Sequence, residues 1–303
     1  MTNSKKKKRK VKWGRLIFLL CSFILIVTLL LGAIGGAIFY AYLNYQVGQV
    51  KDTNIVVMGI DGREATDNTN RTDALLMASV DFEGKKLELV SFPRDSYVYI
   101  PCEKGGVKDK ITHAYRYGEK ECTLETLRGL LELDKLDTYV IVNFEKMILL
   151  IDELKGINLT PTKSFCELGT SDQQICFTEG QDTLMSGEMA LAYSRHRKTD
   201  NDIKRAQRQQ EVIKAIVNKA KNVDLWTMYQ FGTKALKTID TNLNITQLYA
   251  FYKLSLEDEF VINQNKAKGY DAYLISPIYK EKSYYYVLDE DWLKDYKSKI
   301  KNN

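Results

Sequence analysis

Arg71 and Asp73 stand immediately before an apolar run at residues 74–80, and Arg94 and Asp95 follow Ser91-Phe92-Pro93 just after another. Arg195 and Arg197 alternate within Tyr193-Ser194-Arg195-His196-Arg197, so an extended segment there aims both side chains the same way. Downstream, Arg205, Gln209, Val212, Ile213, Ile216 and Ala220 recur at three- and four-residue steps and share one face of a helix that begins near Asp202. From Val212 onward that face is apolar and must point into the core. Its first turns instead present Asp202, Arg205, Arg208 and Gln209. Buried charge is costly unless it is paired or bound to something. An Asp202–Arg205 bridge satisfies one arginine and leaves the others in need of anionic partners. Taken singly, each arginine is more often a surface or salt-bridge residue, and Arg63, in a polar loop, is read that way.

Taken together they describe an anion site, because planar guanidinium groups bind phosphate oxygens in bidentate fashion. Asp61 closes the first expected strand and Asp73 opens the next, which brings both to one edge of a sheet. Two carboxylates beside a phosphate-sized arginine cluster suit Mg²⁺, with Mn²⁺ as its substitute, since Mg²⁺ takes few protein oxygens plus substrate phosphates. Phosphate chemistry depends mainly on positioning and charge neutralisation, which such a site supplies. Other chemistries lack their residues: there is no phosphate loop, no Gly-x-Ser-x-Gly elbow and no zinc-type His/Cys spacing. The two histidines, His113 and His196, read as structural or site-lining rather than catalytic.

The elements that must position these residues alternate. Runs rich in Val, Ile, Leu and Tyr at 54–60, 74–80, 87–90, 139–142, 272–275 and 284–287 predict strands, with Asp81-Phe82-Glu83-Gly84 as a hairpin turn. Helical patterns lie at 123–133, 144–154, 186–193, 202–221, 224–236 and 246–256. Strands alternating with helices predict a layered α/β/α fold around a central mixed β-sheet. No repeat or Pro/Gly-rich linker divides residues 54–303, so one domain is expected there.

The first fifty residues belong to a different regime. Residues 5–10 are all basic, Lys12 and Arg15 follow, and residues 16–50 carry no charge. As a helix, the apolar stretch 16–43 extends roughly 40 Å, beyond the about 30 Å of a hydrocarbon core. It is also longer than the roughly 7–15 residues of a cleaved signal's apolar core. The expected order is a cytoplasmic tail (1–15), a transmembrane signal anchor (16–43), a linker (44–53) and an outward-facing domain, as the basic block holds its own end in the cytoplasm. Gly32 and Gly36 form a small-xxx-small pair, common enough in membrane helices to need no pairing role. Residues 1–15 hold eight of the 44 Lys and Arg, leaving 36 basic against 39 acidic residues, a net of −3, for the rest. That sign argues against nucleic-acid binding. Cys21 lies in the span; of the other four, Cys102–Cys122 and Cys166–Cys176 are the favoured bridges because each closes a short loop, with free thiols as the alternative. Each bridge would contribute about 2–4 kcal/mol.

Seven stretches in order then resemble the LytR-CpsA-Psr family of bacterial cell-wall enzymes. They are Val57-Met58-Gly59-Ile60-Asp61, Asn70-Arg71-Thr72-Asp73, Ser91-Phe92-Pro93-Arg94-Asp95, Lys110-Ile111-Thr112-His113-Ala114-Tyr115, Leu184-Met185-Ser186-Gly187-Glu188-Met189-Ala190-Leu191, Tyr193-Ser194-Arg195-His196-Arg197 and Asp202-Ile203-Lys204-Arg205-Ala206-Gln207-Arg208-Gln209. The resemblance covers residues 54–220 as core motifs, with a weaker likeness beyond. It implies a phosphotransferase that moves a phospho-glycan, such as wall teichoic acid or capsular polysaccharide, from a polyprenyl-pyrophosphate carrier to a peptidoglycan hydroxyl. By motif position it implies Asp61 and Asp73 as Mg²⁺ ligands, and Arg71, Arg94, Lys110, Arg195, Arg197, Arg205 and Gln209 around the pyrophosphate. Arg94 and Arg195 would be needed for transfer, and Asp202 would orient Arg205 or take the acceptor proton. Its implied partners are the polyprenyl-linked glycan, peptidoglycan and membrane lipid, and its implied setting is the membrane of a Gram-positive cell. A pyrophosphatase using water as acceptor, and a non-catalytic glycolipid-binding scaffold or regulator, are the competing readings.

Overall fold

The computed structural model describes residues 13–60, 71–103, 105–196, 202–278 and 280–301. It divides into two compact units, residues 1–49 and residues 50–303. The first unit is the helix α1 (Trp13–Val47), whose segment Leu20–Val47 is long and apolar enough to cross a bilayer. This helix continues past the expected end of the span at residue 43, because Tyr45, Gln46 and Val47 add no breaker before the turn at Gly48.

The second unit begins with β1 (Thr53–Ile60), β2 (Thr72–Asp81), β3 (Lys86–Ser91), β4 (Tyr97–Ile100) and β5 (Val107–Lys110). Then come α2 (His113–Leu131), β6 (Thr138–Asn143), α3 (Phe144–Glu153), β7 (Ile157–Leu159), β8 (Phe165–Leu168), β9 (Gln174–Phe177) and β10 (Thr183–Met185). The helices α4 (Gly187–Arg195), α5 (Asp202–Ala220) and α6 (Leu225–Thr238) follow, then β11 (Asp240–Thr241) and α7 (Ile245–Ser255). The chain closes with β12 (Val261–Lys266), β13 (Gly269–Ile275), β14 (Lys282–Leu288) and α8 (Glu290–Lys301).

Among the described residues the main sheet runs β11-β6-β1-β2-β3-β12. It is mixed: β1 pairs antiparallel with β2 and parallel with β6, while β12 joins β3 in parallel. Pleating sends alternate residues to opposite faces. Val56, Met58, Leu75, Met77 and Val90 pack with Leu127 and Leu131 of α2 and with Tyr296 and Ile300 of α8. Ile55, Ala78, Val80 and Leu89 pack on the other face with Leu254 of α7 and Ile213 and Val217 of α5. A third cluster unites α3, α4 and α5 over Ile157, Phe165, Phe177 and Met185. The layered α/β/α fold is therefore present as the alternation of elements predicted.

Three local devices bring these layers to the site. Asn143 caps α3 by accepting the Lys146 N–H, and Ser186 caps α4 by accepting that of Met189. The α3 and α4 helices approach so closely that a Cβ at Gly187 would collide with the backbone of Ile148. Gln210, buried in α5, donates to the carbonyl oxygens of Asn265 (2.6 Å) and Leu89 and to Ser91 Oγ (2.9 Å), tying that helix to β3 and β12. Disulfides join Cys102 to Cys122 and Cys166 to Cys176, with Cα separations of 5.8 and 4.0 Å.

One local expectation is corrected. Residues 193–195 are not extended but form the last turn of α4, because the run from the Ser186 cap buries Ala190, Leu191, Ala192 and Tyr193 as a continuous helix. Arg195 therefore sits at a helix C-terminus, where the negative end of the helix dipole favours its positive charge. The expected shared direction of Arg195 and Arg197 has no basis in a strand, and Arg197 lies outside the described residues.

Candidate functional site

A cavity of about 550 Å³ opens between the sheet, α3 and α5. Val57 and Leu76 of the sheet, Met147 and Leu150 of α3, and Val212, Ile213 and Ile216 of α5 give it apolar walls. Asp73, Glu167, Ser194, Arg195, Arg205 and Gln209 also line it, so its charge gathers where α5 begins and α4 ends. A Cβ at Gly59, also on the wall, would come within 3.0 Å of the Ala74 Cβ, so glycine keeps β1 and β2 close at this edge.

The charged end is built from three separate parts of the chain. Arg94 Nη1 lies 3.3 Å from Asp73 Oδ1, and Arg205 Nη2 donates to the Asp73 carbonyl oxygen at 3.3 Å. Arg205 is only 5% exposed, so the face of α5 that sequence periodicity singled out does carry a buried guanidinium. Thr112 joins both charged segments: its hydroxyl donates to the Thr72 carbonyl (2.7 Å) and its N–H to that of Arg94 (3.2 Å). From Arg94 the charges continue outward. Its Nε is 3.5 Å from Asp95 Oδ2, and Lys110 Nζ is 2.7 Å from Asp95 Oδ1. Lys110 thus pairs with Asp95 outside the cavity wall, and Arg71 is exposed just ahead of β2.

Arg195 reaches the same end from α4. Its Nη2 donates to the Leu168 carbonyl at 3.1 Å, and its guanidinium lies 5.3 Å from the centre of the Phe144 ring. Leu168 and Glu167 belong to β8, which pairs with β9 and is closed by Cys166–Cys176. Glu167 lines the cavity and holds His196 Nδ1 at 2.8 Å. Sequence reasoning missed Glu167, because a single acidic residue beside a cysteine in a short hairpin carries no periodic signal. Arg208, expected to need an anion, donates to the His196 carbonyl and lies over the rings of Phe165 and Tyr193. Asp202 opens α5, but its side chain, like the whole of Asp61 and Arg197, lies outside the described residues.

His113 supports the site from behind. Burial pushes the Asp109 carboxyl upward, but His113 Nδ1 at 2.6 Å, the Lys110 N–H and the Tyr117 hydroxyl outweigh it and hold Asp109 below the usual carboxylate range. Burial first, and then the Glu211 carboxylate 2.7 Å away, push the Tyr193 hydroxyl well above its ordinary value, so it stays protonated as a donor.

A divalent cation can be tested against these residues. No group of three or more His, Cys, Asp or Glu side chains suited to a metal occurs among the described residues. Mg²⁺ does not require one, since one or two carboxylates with water and substrate phosphate complete its shell. Asp73, with its side chain 27% exposed at the charged end, is a fitting ligand.

The family model described as "LytR_cpsA_psr family" matches residues 42–302. A Bacillus subtilis (strain 168) relative, polyisoprenyl-teichoic acid–peptidoglycan teichoic acid transferase TagU, is 30% identical across 100% of this chain and 99% of its own. The transferase of the same name from Bacillus licheniformis is 32% identical over 82% of this chain and 77% of its own. Among solved structures, B. subtilis TagV superposes with a TM-score of 0.73 at 27% identity, covering 83% of this chain and 96% of that one. A structure titled TagT bound to LIIa-WTA gives 0.67 at 26% identity, covering 84% and 91%.

Proposed function

The chain belongs to the LytR_cpsA_psr family, and from that membership we propose that it transfers a phospho-glycan from a polyprenyl-pyrophosphate carrier to a peptidoglycan hydroxyl. The observation that carries this reading is the cavity, which is apolar along α3 and α5 and charged at one end. A pocket of this size and make-up suits an amphipathic ligand, a hydrocarbon chain ending in pyrophosphate. The relatives' names, polyisoprenyl-teichoic acid–peptidoglycan teichoic acid transferase, agree with a polyisoprenyl-linked donor and a peptidoglycan acceptor.

Each residue then has a task. Val57, Leu76, Val212 and Ile216 take the polyprenyl chain out of water, and Arg94, Arg195 and Arg205 grip the pyrophosphate oxygens. Gln209, one turn beyond Arg205, adds a hydrogen bond from the same face. The acceptor hydroxyl attacks the sugar-linked phosphorus, the bond to the bridging oxygen breaks, and polyprenyl phosphate leaves. Arginines fixed before the reaction stabilise the charge that builds on the leaving phosphate without having to reorganise. Arg205 is held to the Asp73 carbonyl and Arg195 to that of Leu168, so both are set in advance. Asp202, at the start of α5, is assigned to orienting Arg205 or taking the acceptor proton. Asp61 and Asp73 are assigned to Mg²⁺, or to Mn²⁺ in its place, which would neutralise further phosphoryl charge. Arg71, Arg197 and Lys110 complete the electropositive approach. The basic tail is assigned to the cytoplasmic side, which puts residues 50–303 outside, beside a substrate that stays in the bilayer.

The test is what the full-length protein carries when purified from its native membrane in mild detergent. Mass spectrometry of bound lipids should find a polyprenyl-pyrophosphate glycan in the wild type and at least tenfold less in Arg205→Ala. Equal occupancy in both, or only bulk phospholipid, would count against the cavity assignment.

A further inference from the structure

The hairpin of β13 and β14 presents a row of tyrosines on one face. Its register sets Tyr273 opposite Tyr284, Asp271 opposite Tyr286 and Ile275 opposite Lys282, so these six side chains share that face. The face is open at its Tyr273 end, with Tyr273 66% and Ile275 71% exposed, and closes at Tyr286, which packs against the core and donates its hydroxyl to the Ala267 carbonyl at 3.2 Å. The Tyr273 and Tyr284 rings meet edge-on at 5.8 Å, and the Tyr284 hydroxyl donates to Asp271 at 2.8 Å. Lysines flank the row: Lys282 Nζ lies 6.0 Å from the centre of Tyr273, Lys110 Nζ 5.9 Å from Tyr284 and Lys266 Nζ 4.5 Å from Tyr286.

The opposite face fixes the hairpin to the domain. Tyr285 is buried, packs on Tyr97 at 4.8 Å and donates to Asp109 Oδ1 at 3.3 Å. The Tyr286 N–H donates to the Asp95 carbonyl at 2.9 Å, and Ser96 bridges Tyr286 as a parallel partner. The segment that positions Arg94 is therefore hydrogen-bonded directly to the strand that carries Tyr284. Lys110 closes the connection, paired with Asp95 on one side and lying over Tyr284 on the other.

We propose that this face is the acceptor subsite, which takes a peptidoglycan glycan strand and leads a sugar hydroxyl toward the Arg94 end of the cavity. The inference rests on the phosphotransferase reading and adds where the acceptor lies. Pyranose rings present a face of C–H bonds that packs on the electron-rich face of an aromatic ring, and exposed tyrosines supply that surface with a hydrogen-bonding tip. The flanking lysines match the carboxylates of peptide stems. None of these tyrosines lines the cavity that takes the donor, while Lys110 joins the row to the Arg94 segment, which assigns the row to the acceptor. Asp271 and the tyrosine hydroxyls suit a hydrated saccharide better than hydrocarbon.

The experiment uses full-length protein in detergent with Tyr273→Ala, Tyr284→Ala and Tyr273→Phe. Binding of uncross-linked peptidoglycan oligosaccharides is titrated without donor, and the acceptor KM is then measured with donor. Both alanine variants should weaken oligosaccharide binding and raise the acceptor KM at least tenfold. Tyr273→Phe should stay within about threefold of wild type, because the ring remains, and donor and phospholipid-vesicle binding should not change. Absence of wild-type oligosaccharide binding, or unchanged binding in both alanine variants, overturns the subsite. So does a loss confined to donor affinity, or one confined to vesicle binding. Oligosaccharide binding through Tyr273 with no transfer by the wild type would sink the phosphotransferase reading alone. Transfer with an unaltered acceptor KM in both alanine variants would sink the subsite alone.

Discussion

Arg94, Arg195 and Arg205 come to the charged end from three places in the chain, and each is oriented differently: by Asp73, by the Leu168 carbonyl and by the Asp73 carbonyl. Their geometry matters as much as their charge, because a lysine offers a point charge in place of a planar fork. Arg94→Lys and Arg195→Lys should both lose about 100-fold in transfer rate, on the scale of about 3 kcal/mol for one preorganised donor, with unchanged circular dichroism. Transfer within threefold of wild type would remove them from the pyrophosphate. Asp109 makes a separate prediction. Its carboxyl is held below the usual 3.8, so its network stabilises the fold at pH above about 4 and loses that contribution as pH falls through the folded value. Asp109→Asn should therefore lower Tm at pH 7, by roughly 1–3 kcal/mol in stability, and flatten the acid limb of the Tm–pH profile. A parallel profile would show that the carboxylate does not matter. At this scale the sequence was legible where charge interrupted an apolar period, as at Arg205. It was silent at Thr112 and Glu167, whose roles come from backbone carbonyls and a histidine far away in the chain.

Helix α4 and the β8–β9 hairpin show what depends on elements. The motif around Arg195 reads equally as strand or helix over five residues, and only the Ser186 cap and the buried run before it decide for helix. Elements that sequence reasoning passed over are short or polar on most positions, such as β4, β5 and the edge strand β12. Helix α8 was legible in principle, since Trp292, Leu293, Tyr296 and Ile300 have helical spacing in a charged background. The hairpin carries Glu167 and the Leu168 carbonyl into the site under the Cys166–Cys176 bridge. Replacing both cysteines by serine should cost about 2–3 kcal/mol of stability and reduce transfer more than binding of the lipid chain. A Tm unchanged within 1 °C would mean that the bridge is not formed in solution. Gly187→Ala forces a methyl against the Ile148 backbone between α3 and α4, and should destabilise by about 1–3 kcal/mol in denaturant titration.

The cavity belongs to the whole domain, as no segment contains it: the sheet, α3, α4, α5 and the β8 hairpin each supply part of the wall. Sequence periodicity could mark the α5 face as apolar but not show that it lines a space instead of closing against the sheet. Ile213→Trp should fill that space, leave the fold intact and reduce lipid-donor binding at least tenfold, as read by bound-lipid mass spectrometry. The apolar first helix was plain from its uncharged length alone, because spanning a bilayer is a requirement on composition more than on tertiary packing. It is a candidate membrane anchor. The most direct measurement combines the full-length protein with a polyprenyl-pyrophosphate oligosaccharide, peptidoglycan fragments and Mg²⁺, and uses mass spectrometry to detect glycan joined to the acceptor through a phosphodiester. The account predicts that product from the wild type, its loss with Arg94→Ala, and its loss with Asp73→Ala or a chelator. Polyprenyl phosphate released with phospho-glycan left unjoined, at the same rate with and without acceptor, would contradict it and make the protein a pyrophosphatase.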